Sequence, residues 1–175
     1  SYRSWGETAD YMRQKEIFMP TEFLHGLYDG GHGAGLKDYW KLMMSNPRCA
    51  GGFLWDLMDQ AVVRTDQNGI LDPVGNFGSD GIVGPHMEKE GSFYTIREVW
   101  SPVQVLYFDS DAFTIKNCYN FINLKDCQFS YRLLKMPEYG ESNVKVIKKV
   151  KLPSPDAAPG ERAQLKIEKT DADTT

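Results

Sequence analysis

Two apolar runs that both end in acidic side chains place the strongest constraint on the fold. The first run, residues 17–22, ends in Glu22 and leads into a glycine-rich loop, and the second is residues 50–59. Between them, apolar residues recur at helical spacing over residues 36–44, and Pro47 ends that helix. This order of strand, loop, helix and strand predicts a β/α unit. Because its two strands are parallel, the functional residues at their ends should lie at one edge.

Two shorter helices and a long irregular stretch are predicted around this unit. Residues 7–16 form a short polar helical pattern, and residues 93–100 place Ile96, Val99 and Trp100 on one helical side. Residues 61–92 lack periodicity and are rich in turn-forming pairs. Long irregular loops in compact domains are usually functional.

The residues after Pro102 change to a period of two, which is typical of antiparallel strands with one buried face. Five strands are predicted: 103–108, 113–119, 128–135, 143–150 and 164–169. Short strands at this spacing indicate an immunoglobulin-like β-sandwich, which has about seven strands when complete. We therefore predict an α/β domain over residues 1–102 and a partial, all-β sandwich over residues 103–175, with both ends of the chain cut within domains.

Charge and composition exclude several classes of partner. The net charge is −4 and the sequence pI is about 5.4, so no basic surface favours nucleic acid. No apolar run approaches the roughly 18 residues that a membrane span needs. The three cysteines have no C-x-x-C spacing and indicate neither a disulfide framework nor a zinc site. We expect no nucleic acid and no membrane partner.

Glu22 is the leading candidate for chemistry because it ends a predicted strand and has His25 three residues later. A carboxylate at the mouth of a barrel can act as a nucleophile, a general base or a metal ligand. The alternative is an ion-paired glutamate at the end of a strand.

The loop after Glu22 allows two further interpretations, and neither is favoured. Glu22, His25, Asp29 and His32 are potential metal ligands, but their spacing matches no motif with a defined mechanism. The glycines of residues 30–35 precede a helix, as in a phosphate site, but lack the lysine of a P-loop.

The second apolar run adds an aromatic and two acidic candidates. Trp55 either presents its indole to the apolar face of a sugar or fills a barrel mouth. Asp56 and Asp59 are either a second acid/base pair or acids that fix loops or pair with an arginine such as Arg64. Residues 66–72 hint at a calcium loop, but an Asn-Gly hairpin turn fits them better.

Four stretches together resemble one known family. Residues 20–26, 50–60, 77–83 and 90–102 resemble, in order and spacing, glycoside hydrolase family 2 in its β-galactosidase-like branch. The resemblance covers nearly the whole chain. It implies the C-terminal portion of a TIM (β/α)8 catalytic barrel, followed by the start of an immunoglobulin-like β-sandwich.

The resemblance also implies roles for individual residues. Glu22 would be the catalytic nucleophile at the end of the seventh barrel strand, forming a covalent glycosyl intermediate. His25 would bind a substrate hydroxyl, and Trp55 would form the floor of the sugar site. Phe77 and Asp80 would lie near a monovalent cation, where the family often has Asn in place of Asp80. Asp80 would also bind the sugar, and Na+ or Mg2+ is the ion expected in the parent enzyme.

One part of the family's machinery is missing from these residues. A retaining glycosidase needs two carboxyl groups about 5 Å apart, one of them a general acid. In the family this acid lies in an upstream Asn-Glu pair, and the chain contains no such dipeptide. We therefore predict that the parent is a β-galactosidase-like hydrolase of β-linked hexosides, and that these residues alone are inactive.

Several alternatives stay open at this stage. One alternative is that the parent protein is a β-glucuronidase or another family 2 glycosidase. The other is that the chain is a non-catalytic carbohydrate-binding or scaffold module. An oligosaccharide or glycoside is the expected partner, and oligomerisation is an expectation for the parent only. A periplasmic or secreted location is expected only because such enzymes often have one.

Overall fold

The structure is a computed structural model, and it describes residues 2–25, 32–109, 111–140 and 142–167. Within these ranges it has small antiparallel sheets and few helices. Antiparallel sheets of this kind agree with the predicted β-sandwich. None of the helices that the structure describes is long and apolar enough to cross a membrane.

The chain divides into two compact units, Ser1–Trp100 and Ser101–Thr175. The assignment of residues 1–102 to a catalytic barrel and of 103–175 to a sandwich domain stays a prediction.

The first unit begins with helix α1, Trp5–Tyr11, rather than with the predicted helix over residues 7–16. A capping box fixes its start, since Ser4 Oγ accepts from the Glu7 N–H at 3.3 Å and Ser4 N–H donates to the Glu7 carboxylate at 2.8 Å. The helix ends before the exposed residues 13–16 because they offer no apolar side to bury.

Helix α2, Leu36–Met44, confirms the helical spacing found in the sequence. Its residues Leu36, Tyr39 and Met43 are buried in the main core cluster of the unit. Helix α3 spans Gly91–Val99 and also agrees with the prediction. Its apolar side packs against the same cluster through Ile96, Val99 and the following Trp100.

The two apolar runs lie side by side and parallel, as the β/α pattern predicted. Phe18 pairs with Cys49 and Phe23 pairs with Leu54 in parallel bridges. The backbone bonds between the runs include Phe23 N–H to Phe53 O at 3.0 Å. Short bridges replace the regular strands that were expected.

The first apolar run is buried only in part. Phe18 and Phe23 are buried, but Ile17 is 76% exposed and Met19 is 48% exposed. Phe18 and Phe23 both belong to the core cluster that includes residues of helix α2. Because they are five residues apart, the run does not keep the strict two-residue alternation of a regular strand.

A β-hairpin lies within the stretch that the sequence left irregular. Strand β1, Val62–Arg64, pairs antiparallel with β2, Ile70–Asp72, across the short 3₁₀ turn Thr65–Gln67. Asn68 and Gly69 both have positive φ, at 57° and 77°, which is the backbone an Asn-Gly turn adopts. The predicted Asn-Gly hairpin is confirmed.

Arg64 holds the hairpin together through two carboxylates. It donates to Asp66 at 2.7 Å and 2.9 Å and to Asp72 at 2.8 Å. Its guanidinium lowers the pKa of Asp66, whereas the pKa of Asp72 is lowered first by the Val74 N–H and then by Arg64. The two carboxylates in turn raise the pKa of Arg64.

We expect Arg64→Gln to affect these two carboxylates unequally. The pKa of Asp66 should return to near its ordinary 3.8, while that of Asp72 should rise but stay below 3.8 because the Val74 N–H remains. Since both pKa values are lowered by folding, their contribution to stability is full above 3.8 and is lost as the pH falls through the lowered values. Carbon-13 NMR titration measures the pKa values of the two carboxyl groups, and equal changes in these pKa values would contradict the prediction.

Within its described residues, the second unit contains the five antiparallel strands that the period of two predicted. Their bounds differ from the prediction by a few residues: β3 is Val103–Asp109, β4 is Ala112–Asn117, β5 is Phe129–Lys135, β6 is Lys145–Leu152 and β7 is Arg162–Lys166. The strands form one sheet in the order β3-β4-β7 and a second sheet of β5 and β6. In β5 the side chains alternate between half-buried and exposed over Phe129–Leu133, as predicted.

A fully buried asparagine holds the loops of this unit to its core. Asn117 Nδ2 donates to Ile122 O at 2.8 Å and to Ala157 O at 3.0 Å, and its Oδ1 accepts from the Tyr119 N–H at 2.9 Å. The core beside it contains Ile115 and Ala157. Every polar atom of this buried side chain is thus partnered, as burial of an amide requires.

Candidate functional site

Three chain segments bring the candidate residues to one place. Glu22 and His25 follow the first apolar run, and Trp55 follows the second, beside it. The backbone of Asp80 joins the second run from the far side, because Asp56 N–H donates to Asp80 O at 3.1 Å. Parallel pairing therefore gathers at one edge the four residues that the sequence analysis named as catalytic or substrate-binding.

Asp80 lies at the centre of this site. Its Oδ2 accepts from His25 Nε2 at 2.9 Å and from Trp55 Nε1 at 3.1 Å. The side chain of Asp80 is 2% exposed and that of His25 is 9% exposed, whereas Trp55 is half-buried. Two donors on one oxygen offset part of the cost of burying a carboxylate.

Glu22 is half-buried and has a hydroxyl donor. Tyr2 Oη donates to Glu22 Oε2 at 2.5 Å. The ring of Tyr2 also meets that of His25 edge to face, with centroids 5.1 Å apart. The carboxylate of Glu22 is therefore linked through Tyr2 to the group around Asp80.

The aromatic rings of the site are aligned. His25 and Trp55 are nearly parallel, at 8°, with centroids 6.3 Å apart. His32 Nε2 contacts the carbonyl oxygen of Trp55. His25 therefore lies beside the indole of Trp55, and His32 contacts the backbone of the same residue.

The metal and phosphate interpretations of the glycine loop rest partly on residues that the structure does not describe. Asp29 and the glycines at 26, 30 and 31 lie outside the described residues. Of the proposed metal ligands, His25 contacts Asp80 and His32 contacts the backbone of Trp55. Among the described residues, no group of three acidic, histidine or cysteine side chains is arranged to hold a metal ion.

Asp56 and Asp59 take part in holding the loop that carries Asp80. Asp59 Oδ1 accepts from the Gly81 N–H at 2.7 Å, and Asp56 Oδ2 accepts from Gln60 Nε2 at 3.0 Å. The suggested partner Arg64 instead binds the acids of its own hairpin. These contacts agree with the loop-fixing interpretation rather than with an acid/base pair.

The implied cation site fits the residues in part. Asp80 Oδ1 is buried and has no hydrogen-bond partner among the described residues, and a carboxylate oxygen is a suitable ligand for Na+ or Mg2+. The other implied residue, Phe77, has a side chain 66% exposed. When bound, such an ion would supply positive charge beside Asp80.

Sequence reasoning missed Tyr2 and the contact of His32 with Trp55. Tyr2 is 20 residues from Glu22 and stands in no recognisable motif. His32 was noted only as a metal ligand, because its loop gave no sign of which backbone oxygen it would meet. Neither contact leaves a local signal in the sequence.

Comparison with known proteins gives one family model. Residues 113–175 match the model described as β-galactosidase, domain 4. The matched residues include β5 to β7 of the second unit and all of β4 except its first residue.

Three relatives extend the similarity, and they are all called β-galactosidase. That of Actinobacillus pleuropneumoniae is 27% identical over 134 residues, which are 70% of this chain and 13% of that protein. That of Priestia megaterium is 24% identical over 149 residues, 78% of this chain and 14% of that protein. That of Pectobacterium atrosepticum is 30% identical over 97 residues, 49% of this chain and 9% of that protein. The chain spans 14% or less of the length of these relatives.

Proposed function

Because this chain is a β-galactosidase-like family member, we propose that it is part of a retaining β-glycosidase that hydrolyses terminal β-linked galactosides. The family is consistent with glycoside hydrolase family 2. One observation carries the proposal: Glu22 lies where paired parallel segments end, and Tyr2 links it to the group formed by His25, Trp55 and Asp80.

Glu22 is the proposed nucleophile. Its carboxylate attacks the anomeric carbon and the bond to the leaving oxygen breaks, which gives a covalent glycosyl ester. The leaving oxygen takes its proton from a general acid that these residues do not supply. Water then cleaves the ester and restores the carboxylate. The hydroxyl of Tyr2, 2.5 Å from Oε2, keeps the carboxylate oriented and stabilises its charge between turnovers.

Trp55 and His25 are the proposed sugar-binding residues, and Asp80 accepts a hydrogen bond from each of their rings. Trp55 is half-buried, so part of its indole is available to the apolar face of a hexose ring. His25 lies parallel to the indole and contacts the ring of Tyr2, whose hydroxyl donates to the proposed nucleophile. An oligosaccharide or glycoside is therefore the proposed partner.

We also propose that the first unit is the last portion of a TIM (β/α)8 barrel and the second unit part of an immunoglobulin-like sandwich. The parallel bridges across helix α2 and the functional residues at one edge support the barrel. The paired runs also leave Ile17, Met19 and Phe53 exposed, and the rest of a barrel would cover such apolar side chains. For these reasons we propose that the 175 residues alone do not turn over substrate.

Covalent trapping tests the function directly. The full-length protein is incubated with a 2-deoxy-2-fluoro-β-galactoside that carries a dinitrophenyl leaving group, and its peptides are analysed by mass spectrometry. We expect one fluorogalactosyl group on the peptide that contains Glu22, because the fluorine slows hydrolysis of the ester. A label on Asp56 or Asp59 would refute the assignment.

Two comparisons make the trapping result specific. The matching fluoroglucuronide and fluoromannoside should label far more slowly, and preferential labelling by one of them would make the parent another family 2 glycosidase. Galactose binding without any labelling or turnover would favour the non-catalytic carbohydrate-binding module instead.

A further inference from the structure

We propose that Asp80 is a positioning residue, which contributes to the reaction by fixing the rings of His25 and Trp55 rather than by touching the sugar. This inference rests on the proposed function. It departs from the direct substrate contact that the sequence suggested for Asp80.

Burial separates Asp80 from any bulky ligand. Its side chain is 2% exposed, so solvent scarcely reaches the carboxylate. Trp55, by contrast, is half-buried and has ring surface to offer. A sugar that meets this site therefore meets the indole and not the carboxylate behind it.

Hydrogen bonds to the Asp80 carboxylate fix the orientation of the His25 and Trp55 rings. An indole has a single N–H donor, so a bond of 3.1 Å from Trp55 Nε1 to Oδ2 fixes the rotation of that ring. His25 Nε2 donates to the same oxygen at 2.9 Å. Both rings therefore have a hydrogen bond to the same atom, and they lie nearly parallel, at 8°.

Asp80 is itself anchored through the backbone. Its carbonyl oxygen accepts from Asp56 N–H at 3.1 Å, in the residue that follows Trp55. The next residue, Gly81, donates its N–H to Asp59 Oδ1 at 2.7 Å. Asp80 therefore holds the Trp55 segment at the side chain and at the backbone, and a rigid support of this kind preorganises a site.

A multiple-mutant cycle in the full-length protein tests the positioning role. We expect Asp80→Ala to lower kcat/KM for a nitrophenyl β-galactoside by about 10-fold to 100-fold, with KM rising more than kcat falls. In a His25→Ala/Trp55→Phe background, which removes both donors, Asp80→Ala should cost less than about 2-fold, because residues that act through each other are not additive. The same large loss in that background would overturn the proposal.

The isosteric substitution Asp80→Asn keeps the test decisive if the alanine variant does not fold. One amide oxygen can still accept from both rings, so we expect activity within about 3-fold of the unchanged protein. A loss as large as that of Asp80→Ala would overturn the proposal, since the carboxylate charge would then act directly on an ion or the substrate.

Asp59→Ala is the matched control. It removes a carboxylate that fixes the same loop without bonding either ring, so its cost should persist in the His25→Ala/Trp55→Phe background. The activity losses caused by Asp59→Ala and Asp80→Ala should not both disappear in that background. If they do, His25 and Trp55 depend on the position of the whole loop, and the specific role of Asp80 is refuted. Activity that is independent of Glu22 would instead refute the proposed function.

Discussion

Replacing Glu22 with glutamine in the full-length protein is expected to lower kcat on a nitrophenyl β-galactoside by about 10⁴-fold to 10⁶-fold. An amide of nearly the same shape is a poor nucleophile and forms no glycosyl ester, so the loss appears in kcat rather than in binding. Steady-state kinetics with a galactose-binding measurement checks both parts.

Two controls make this result specific to the nucleophile. Glu16→Gln makes the same chemical change at an exposed position six residues earlier, so its kcat should not change. Glu22→Gly with added azide should regain activity and give an α-galactosyl azide, because the small anion attacks from the side on which the carboxylate was. Turnover of Glu22→Gln above about a tenth of the original would exclude Glu22 as the nucleophile.

Replacing Gly81 with alanine is expected to destabilise the site region by about 3 kcal/mol. A Cβ at this residue would lie 2.2 Å from Asp59 N, 2.5 Å from Met58 C and 2.6 Å from Val83 O, all of which are backbone atoms. Backbone cannot turn aside as a side chain can, so the segment that carries Asp80 must move. Thermal unfolding of the full-length protein should show the lower stability, and kcat/KM should fall with it.

Gly84→Ala is the matched control for this prediction. The added Cβ would approach the Glu88 side chain at 2.4 Å, and that flexible carboxyl end can move away. We expect a much smaller loss of stability and little change in kcat/KM. Equal effects of the two variants would mean that close backbone packing at Gly81 is not what holds the Asp80 loop.

Local patterns predicted much of the secondary structure. The helical spacing of residues 36–44, the Asn-Gly turn at Asn68 and the alternation along β5 each depend on near neighbours, and each appears as predicted. The helix predicted over residues 7–16 instead begins at Trp5, because a capping box between Ser4 and Glu7 fixes its start. These elements are encoded by interactions between residues a few positions apart.

The sequence by itself determined which side chains end the apolar runs, and so which residues are candidates for chemistry. Only the tertiary structure decided how they are partnered: Tyr2 on Glu22, and both His25 and Trp55 on one oxygen of Asp80. The physical reason is distance along the chain. A hydrogen bond between residues 20 or more positions apart depends on the packing of whole segments, and no local pattern records it.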